Sequence, residues 1–313
     1  MREKCAPRED AGDGQDAAAT TPSASLAPGG AWGAAGELSI ADLIADKARS
    51  GTFFWSVELL PGTTPHLRAQ LETSLQQLAR RPPAFVSITW HVGHLRDDKH
   101  PALELGARVR AALGVPVLLH IAAGRMTCSQ VRRVLEACLA VGITNIFALR
   151  GDDETDEGSD FHHASDLVYF IRENYGSQFC VGVAGYPSMH PESTSLEEDI
   201  FYLKQKVEAG AEFIVTQMVN TFEELHTFVH KCHEHDVKVP IIPGLFLIQS
   251  YNTLEKVAKT CSIKVPQNIM QELRQLHNIE NQIEYGKNLL KSLLRQMMMF
   301  SHCPGAHLFT INK

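Results

Sequence analysis

Several short apolar segments of this sequence end in a polar side chain that can accept a hydrogen bond or transfer a proton. Glu58 is the most informative of them, because it lies in the apolar run Trp55-Ser-Val-Glu-Leu-Leu60. A carboxyl group at the end of a core strand loses hydration unless it is paired, and this loss raises its pKa and suits it to donate a proton near neutral pH. A structural ion pair or a capping role explains a single glutamate equally well.

Other apolar segments end in similar polar groups. For His120 a satisfied core histidine is the simpler interpretation, and for Gln217 a buried amide. Arg150-Gly151-Asp152 also follows an apolar segment, where the glycine permits close backbone approach and the arginine is suited to contact a phosphate. The remaining segment ends are Thr89 to His91, Tyr186 with His190, Gln249 to Tyr251, and Asn312-Lys313.

Residues so far apart in the chain need a regular fold to bring them together. The sequence predicts eight strands, and most of them lack the alternation of polar and apolar residues that a half-exposed strand shows. This pattern is typical of parallel strands that are covered on both faces. The predicted strands span residues 52–60, 84–90, 115–121, 144–150, 179–186, 212–219, 239–248 and 306–312.

Helical patterns lie between these strands. Thr64-Pro65 starts one helix, because proline is tolerated in a first helical turn. Capping boxes, in which an N-cap hydroxyl and the side chain three residues later satisfy each other's backbone amides, are predicted to start three more. They pair Thr127 with Gln130, Ser195 with Glu198, and Thr221 with Glu224.

Eight strands alternating with helices over roughly 275 residues predict an α/β fold, the (β/α)8 TIM barrel. An open, doubly wound sheet is the competing architecture, but the sequence contains neither a GxGxxG fingerprint nor a P-loop. The sequence stops soon after the eighth strand, so the eighth outer helix is expected to be missing. A barrel collects its active site at the carboxyl ends of its strands, and these are the positions of the polar groups described above.

Composition narrows the classes of protein. The formal net charge of -7 argues against binding to nucleic acid or to an anionic membrane, and no apolar run approaches the length of a membrane span. The seven cysteines are scattered without a CxxC pair, which predicts reduced thiols in a cytoplasmic protein and neither a disulfide framework nor a metal site. Residues 1–37 are expected to form a disordered tail, which leaves 38–313 as one barrel domain.

Several short phrases stand in order along roughly residues 52–313. They are Ala148-Leu-Arg-Gly-Asp152, Ala164-Ser-Asp-Leu-Val168, Val183-Ala-Gly-Tyr-Pro187 with His190-Pro-Glu192, Leu203-Lys-Gln-Lys-Val207 with Ala209-Gly-Ala211, Thr216-Gln217, Ile241-Ile-Pro-Gly244 and Phe309-Thr-Ile-Asn312. In this order and spacing the phrases resemble the methylenetetrahydrofolate reductase family. Eukaryotic members carry a C-terminal regulatory domain that is absent here, so the chain resembles a short form reduced to the catalytic barrel.

The resemblance implies a barrel that holds FAD non-covalently and uses NADPH or NADH to reduce 5,10-methylenetetrahydrofolate to 5-methyltetrahydrofolate, a step of one-carbon and methionine metabolism. Glu58 matches the family's general acid, which assists opening of the folate five-membered ring, and Asp152 matches the aspartate close to the flavin and the pterin. The implied folate contacts are Glu58, Asp152, Gln217, Tyr251 and Lys313. The implied FAD contacts are Thr89, His120, Leu149, Arg150, Gly151, Asp152, Ala164, Tyr186, His190, Asp199 and Lys206.

Several positions depart from the family pattern. Two aromatics beside the acid are replaced by leucines at 59 and 60, a hydroxyl near the flavin is lost at Ala122, and Lys313 stands where a folate-contacting arginine is usual. The last exchange loses the planar fork that suits a carboxylate. His163 replaces an aromatic, and Met218-Val219 replaces an aromatic pair.

Three hypotheses therefore stay open. The first is an active reductase, which the retention of Glu58, Asp152 and Gln217 favours. The second is a catalytically weak paralogue that binds flavin or folate and has a regulatory or partner role, which the altered aromatics and the missing helix favour. The third is a barrel reductase for another imine-like substrate. An incompletely covered barrel wall would also expose apolar surface, which favours a homo-oligomer or a partner.

Overall fold

The computed structural model describes residues 38–62, 64–89, 100–151 and 158–310. The predicted disordered tail, residues 1–37, lies outside the described residues. Eight parallel strands form a closed barrel in which each strand pairs with its neighbour in sequence and β8 closes the ring against β1. The predicted TIM barrel is therefore confirmed.

All eight predicted strands are present, and their ends differ from the prediction by no more than a few residues. The strands are β1 Phe54–Leu59, β2 Val86–Ile88, β3 Val117–Ala122, β4 Asn145–Leu149, β5 Cys180–Gly185, β6 Phe213–Met218, β7 Ile241–Phe246 and β8 Gly305–Phe309. The helices are α1 Ile40–Arg49, α2 Pro65–Leu78, α3 Pro101–Leu113, α4 Cys128–Ala140, α5 Ala164–Tyr175, α6 Leu196–Glu208, α7 Phe222–Glu234, α8 Tyr251–Thr260, α9 Gln267–Gln275 and α10 Ile279–Met299.

The strands are apolar on both faces because each face meets a different hydrophobic cluster. Val57 and Leu59 of β1 belong to a large outer cluster with Leu71 and Leu75 of α2. Phe54 of the same strand belongs instead to an inner cluster, which fills the barrel with side chains from the other strands. Successive residues of a strand point to opposite faces, so a covered parallel strand needs apolar residues at both parities.

The inner cluster is closed at one end by α1, a helix that the sequence pattern did not single out. Ile40 and Ile44 are fully buried in this cluster. The amide of Ile40 donates to Oδ1 of Asn145 at 2.8 Å, and Nδ2 of Asn145 donates to the carbonyl of Leu38 at 3.3 Å. Asn145 stands at the start of β4, so α1 covers the amino-terminal end of the barrel.

Hydroxyl caps start the predicted helices, although only one of the three predicted capping boxes is complete. Thr127 accepts from the amide of Gln130 at 3.4 Å, and Oε1 of Gln130 accepts from the amide of Thr127 at 2.7 Å. Ser195 and Thr221 also cap their helices. Their glutamate partners, however, accept from the amide one residue earlier, at Thr194 (2.7 Å) and Asn220 (3.2 Å). The box prediction was wrong there because the glutamate side chain reaches past the cap residue.

The connection between β7 and β8 holds three helices, α8 to α10, with a small hydrophobic cluster of their own around Ile248, Leu254, Ile269 and Leu273. The described residues end at Thr310, just after β8, and no helix follows β8 within them. None of the helices in the described ranges is both long and apolar enough to cross a membrane. Five cysteines are free thiols: Cys138, Cys180, Cys232, Cys261 and Cys303. Cys128 is disulfide-bonded, so the prediction of reduced thiols was wrong at this position.

Candidate active site

The carboxyl ends of the eight strands meet at one rim of the barrel, and Glu58 lies there as the second-to-last residue of β1. Only 8% of its surface is exposed, and its Oε1 accepts a hydrogen bond from Oγ1 of Thr89 at 2.6 Å. Desolvation raises the pKa of Glu58 above its ordinary 4.5, and this effect outweighs the Thr89 bond, which lowers the pKa. Within the described ranges no cation contributes to this shift. The geometry therefore favours a protonated acid over an ion-paired glutamate.

His120 lies inside the same end of the barrel on β3. The side chain is 7% exposed, and its ring centroid is 4.8 Å from that of Phe147 on β4. Burial lowers the pKa of His120 to about 3, so the imidazole is neutral in the physiological range. A neutral imidazole keeps one donor and one acceptor nitrogen, which suits hydrogen bonding to a polar ring system more than proton transfer.

A polar network that the sequence analysis missed lies one layer below Glu58. His307 of β8 is 1% exposed, and its two ring nitrogens contact Oγ of Ser56 at 2.8 Å and Oγ of Ser87 at 3.1 Å. Ser56 precedes Glu58 by two residues on β1, and Ser87 precedes Thr89 by two residues on β2. The available signal was the presence of Ser56, Ser87 and His307 inside largely apolar strands.

The end of β4 carries the predicted cofactor residues Leu149, Arg150 and Gly151. Gly151 has φ of +99°, and a Cβ placed there would lie 3.2 Å from the Cβ of Ala122. Arg150 makes a two-pronged contact with Glu192, with Nη1 to Oε2 at 2.7 Å and Nη2 to Oε1 at 2.5 Å. The hydrogen bond from Arg150 lowers the pKa of Glu192. The predicted phosphate contact of Arg150 stays a prediction, because this guanidinium already engages a carboxylate.

Four predicted cofactor residues form one contact cluster after β5: Tyr186, His190, Asp199 and Lys206. The Tyr186 and His190 rings meet edge-on at 4.6 Å, and the amide of His190 donates to Oδ2 of Asp199 at 3.2 Å. Nζ of Lys206 donates to the carbonyl of Ala184 at 2.6 Å and lies 5.8 Å from the Tyr186 ring centroid.

The charges in this cluster are partly shielded from water, because Asp199 is 7% exposed and both Lys206 and His190 are half-buried. Burial lowers the pKa of Lys206 to about 8, with Asp199 opposing the shift. Burial also raises the pKa of Asp199, with Lys206 opposing, and it lowers the pKa of His190. The carboxylate and the ammonium therefore stabilise each other in a site that disfavours both charges. Such a site gains from a bound anion, because an anion adds a second partner for the ammonium.

Ala164 is the first residue of α5, whose N-terminus lies at the rim because helices of a barrel run opposite to its strands. The amides of His162 and His163, just before the helix, both donate to Oδ2 of Asp166 at 2.9 Å. The ring of His163 stacks on Tyr202 of α6 with centroids 6.3 Å apart. His163, which replaces a family aromatic, thus keeps a flat contact between α5 and α6.

Gln217 lies at the rim as the second-to-last residue of β6. It is half-buried, and its Oε1 accepts from the amide of Met218 at 2.9 Å. The β6–β7 register shifts between Val215 and Met218. Gly244 of β7 faces this irregular segment, and a Cβ at Gly244 would lie 2.3 Å from the carbonyl oxygen of Thr216 and 2.5 Å from the ring of Phe309.

Tyr251 is the first residue of α8, in the helical insertion that follows the carboxyl end of β7. Its hydroxyl donates to Oε1 of Glu255 at 2.8 Å and accepts from Nη2 of Arg274 at 2.5 Å. The Arg274 guanidinium also lies over the Tyr251 ring, 4.9 Å from its centroid. Two further predicted site residues, Asp152 and Lys313, lie outside the described residues. No group of three or more His, Cys, Asp or Glu suited to hold a metal is found in the described ranges.

The sequence is similar to those of known proteins. The family model for methylenetetrahydrofolate reductase matches residues 43–313. A Caenorhabditis elegans protein described as a probable methylenetetrahydrofolate reductase (NADPH) is 32% identical over 273 residues, which are 83% of this chain and 40% of that protein. The 5,10-methylenetetrahydrofolate reductase of Pectobacterium carotovorum is 28% identical over 262 residues, covering 82% of this chain and 85% of that protein.

Among solved structures, a Clostridium thermocellum protein described as binding two copies of 5-methyl-5,6,7,8-tetrahydrofolic acid superposes with a TM-score of 0.61 at 16% identity. The superposition covers 85% of this chain and 92% of that one, and it shows a shared fold. The chain spans less than half the length of the eukaryotic curated relatives it matches.

Proposed function

Because the chain belongs to the methylenetetrahydrofolate reductase family, we propose that its barrel catalyses the FAD-dependent reduction of 5,10-methylenetetrahydrofolate to 5-methyltetrahydrofolate, with NADPH or NADH as the hydride donor. The observation that carries the proposal is the buried Glu58 carboxyl, which has a hydroxyl partner and no cation in the described ranges. The raised pKa of such a group suits it to hold a proton and to give that proton to a substrate.

The rim residues fit an anionic flavin nucleotide. Lys206 supplies an ammonium that contacts the Ala184 carbonyl and lies near Asp199, and an anion would add a further partner. The N-terminus of α5 supplies backbone amides that attract phosphate. Gly151 has no side chain at the end of β4, so a flat ring can approach its backbone closely. Thr89, His120, Leu149, Tyr186, His190 and Asp199 complete the proposed FAD site. When bound, FAD supplies the hydride-transfer chemistry that amino-acid side chains lack.

The chain's own residues then bind and protonate the substrate. Glu58 donates its proton to the nitrogen that departs as the folate five-membered ring opens, and Thr89 fixes the orientation of the carboxyl group. Gln217 holds its amide oxygen on the Met218 amide and so presents two amide hydrogens to the pterin. Asp152, Tyr251 and Lys313 join the proposed folate site on the family resemblance alone. A Clostridium thermocellum protein of the same barrel fold binds 5-methyltetrahydrofolate, the product of this reaction.

We propose a cytoplasmic location, because five of the seven cysteines are free thiols, the state expected in a reducing compartment, although Cys128 is disulfide-bonded.

The experiment that tests this function is anaerobic flavin spectroscopy on the purified chain. We expect a yellow protein that NADPH or NADH bleaches and that 5,10-methylenetetrahydrofolate then recolours. A quinone acceptor serves as the control, because it recolours any reduced flavin without using the folate site. A preparation that cannot be loaded with FAD would overturn the proposal. Bleaching that only the quinone reverses would favour the weak paralogue or a reductase of another imine-like substrate.

A further inference from the structure

The polar network of Ser56, His307 and Ser87 lies directly under the proposed acid. All three side chains are buried, with exposures of 0%, 1% and 0%. His307 lies parallel to Phe85, with ring centroids 6.0 Å apart, and meets Phe309 edge-on at 4.8 Å. A histidine in so apolar a setting is neutral, and burial lowers its pKa to about 3.

The hydrogen bonds of Ser56 decide which ring nitrogen of His307 carries the proton. The Ser56 hydroxyl also contacts the carbonyl of Ala306 at 3.4 Å, and a carbonyl can only accept. We infer the tautomer in which the Ser56 proton lies toward that carbonyl and Nδ1–H of His307 donates to the Ser56 oxygen. Nε2 of His307 is then a bare acceptor, and the Ser87 hydroxyl donates to it at 3.1 Å.

This assignment bears on Glu58 because Ser87 is its neighbour across the sheet. The two residues are register partners in the β1–β2 pair, so both side chains point into the barrel from adjacent positions. A serine hydroxyl so placed is a natural donor to a carboxylate. With the inferred tautomer the Ser87 proton goes to His307 instead, and Glu58 accepts from Thr89.

We propose that His307 is a positioning residue, which holds the Ser87 hydroxyl away from the Glu58 carboxyl so that the acid keeps its proton. Hydrogen bonds to a carboxylate favour its charged form, so a second donor would turn a proton donor into a stable anion. The titratable groups that face this region from the neighbouring strands are His120 and His307, and both imidazoles are neutral. This inference rests on the proposed role of Glu58 as the acid.

The test is a direct titration of Glu58 by NMR of the purified chain labelled with carboxyl-¹³C glutamate, without nucleotide or folate. The Glu58 resonance is identified by its loss in Glu58→Gln. His307→Phe removes the acceptor for Ser87, and we expect the Glu58 midpoint to fall by about one pH unit, the size of one additional hydrogen bond to the charged form. If His307→Phe cannot be purified, His307→Met removes the same acceptor with a flexible side chain.

Three matched variants separate this role from a structural one. His307→Gln keeps an acceptor for Ser87 and should leave the midpoint near that of the parent. Ser56→Ala removes the serine that fixes the His307 tautomer, so the midpoint should fall toward that of His307→Phe. The double variant His307→Phe with Ser87→Ala should restore the parent midpoint, because the released donor is gone.

The proposal would be overturned by an unchanged or higher midpoint in His307→Phe, or by a double variant that stays as low as the single one. The titration needs no turnover. A chain that failed to reduce folate would refute the proposed function and would leave this measurement intact.

Discussion

Glu58→Gln is the sharpest perturbation of the proposed mechanism, because it removes one proton donor and little else. The amide has nearly the shape of the protonated acid, and its oxygen can still accept from Oγ1 of Thr89, which now donates to Glu58 at 2.6 Å. A positioned general acid contributes roughly 10²- to 10⁴-fold to a rate, which corresponds to about 3 to 5 kcal/mol of barrier. Folate reduction should fall by this factor, whereas flavin reduction by nucleotide should not.

The same substitution is predicted to lower the rate of folate reduction without lowering the stability of the fold. Burial raises the pKa of Glu58 in the folded protein above its ordinary 4.5. The folded state therefore binds more protons than the unfolded chain between the two pKa values, and stability falls as the pH rises through that window. Glu58→Gln removes this loss. Its free energy of unfolding at about pH 8 should equal or exceed that of the parent.

Stopped-flow absorbance under anaerobic conditions measures the two half-reactions separately, and urea unfolding measures stability. Glu234→Gln is the matched control, because Glu234 is 66% exposed on α7 and has no place in the site. An equal loss of both half-reactions would contradict the general-acid role of Glu58. A folate half-reaction that lost less than about tenfold would contradict it too. A variant clearly less stable than the parent at alkaline pH would refute the assignment of a buried, protonated carboxyl.

Three further predictions test the parts that hold the site. Lys206→Met should weaken FAD binding by about tenfold or more, and it should abolish the loss of affinity expected as the pH rises through the Lys206 pKa of about 8. Fluorescence titration measures the affinity, with Lys204→Met as the control. An unchanged affinity would contradict the phosphate role of Lys206. Gly244→Ala should lower the free energy of unfolding by about 1 to 3 kcal/mol, because its Cβ would lie 2.3 Å from the Thr216 carbonyl oxygen; a neutral result in urea unfolding would show that β7 can move. Ile44→Ala should cost about 2 to 5 kcal/mol by the same assay, because Ile44 is fully buried in the inner cluster, and a cost below about 1 kcal/mol would mean that α1 does not seal the barrel.

Much of the barrel could be predicted because its signals are local. A covered parallel strand is apolar on both faces, so each of the eight strands could be predicted from its own residues. In the same way, Thr127 and Gln130 indicated a helix start within four residues. Glu58 was predictable for the same reason, since a carboxyl inside an apolar run is unusual wherever the strand lies. Parallel order then placed all strand ends at one rim without any knowledge of long-range contacts.

The partners of those residues were not predictable, because they are set by barrel closure. Arg150 pairs with Glu192, 42 residues away, where the sequence suggested a phosphate. Ser56 meets His307 across 251 residues, only because β8 closes the ring beside β1 in one register. Helix α1 covers the amino-terminal end of the barrel through the contact between Ile40 and Asn145, which are 105 residues apart in the sequence. Residue type and spacing thus determined which groups lie at the rim. Strand register and barrel closure decided which of these groups are in contact, because register and closure depend on residues of several strands and cannot be inferred from one strand alone.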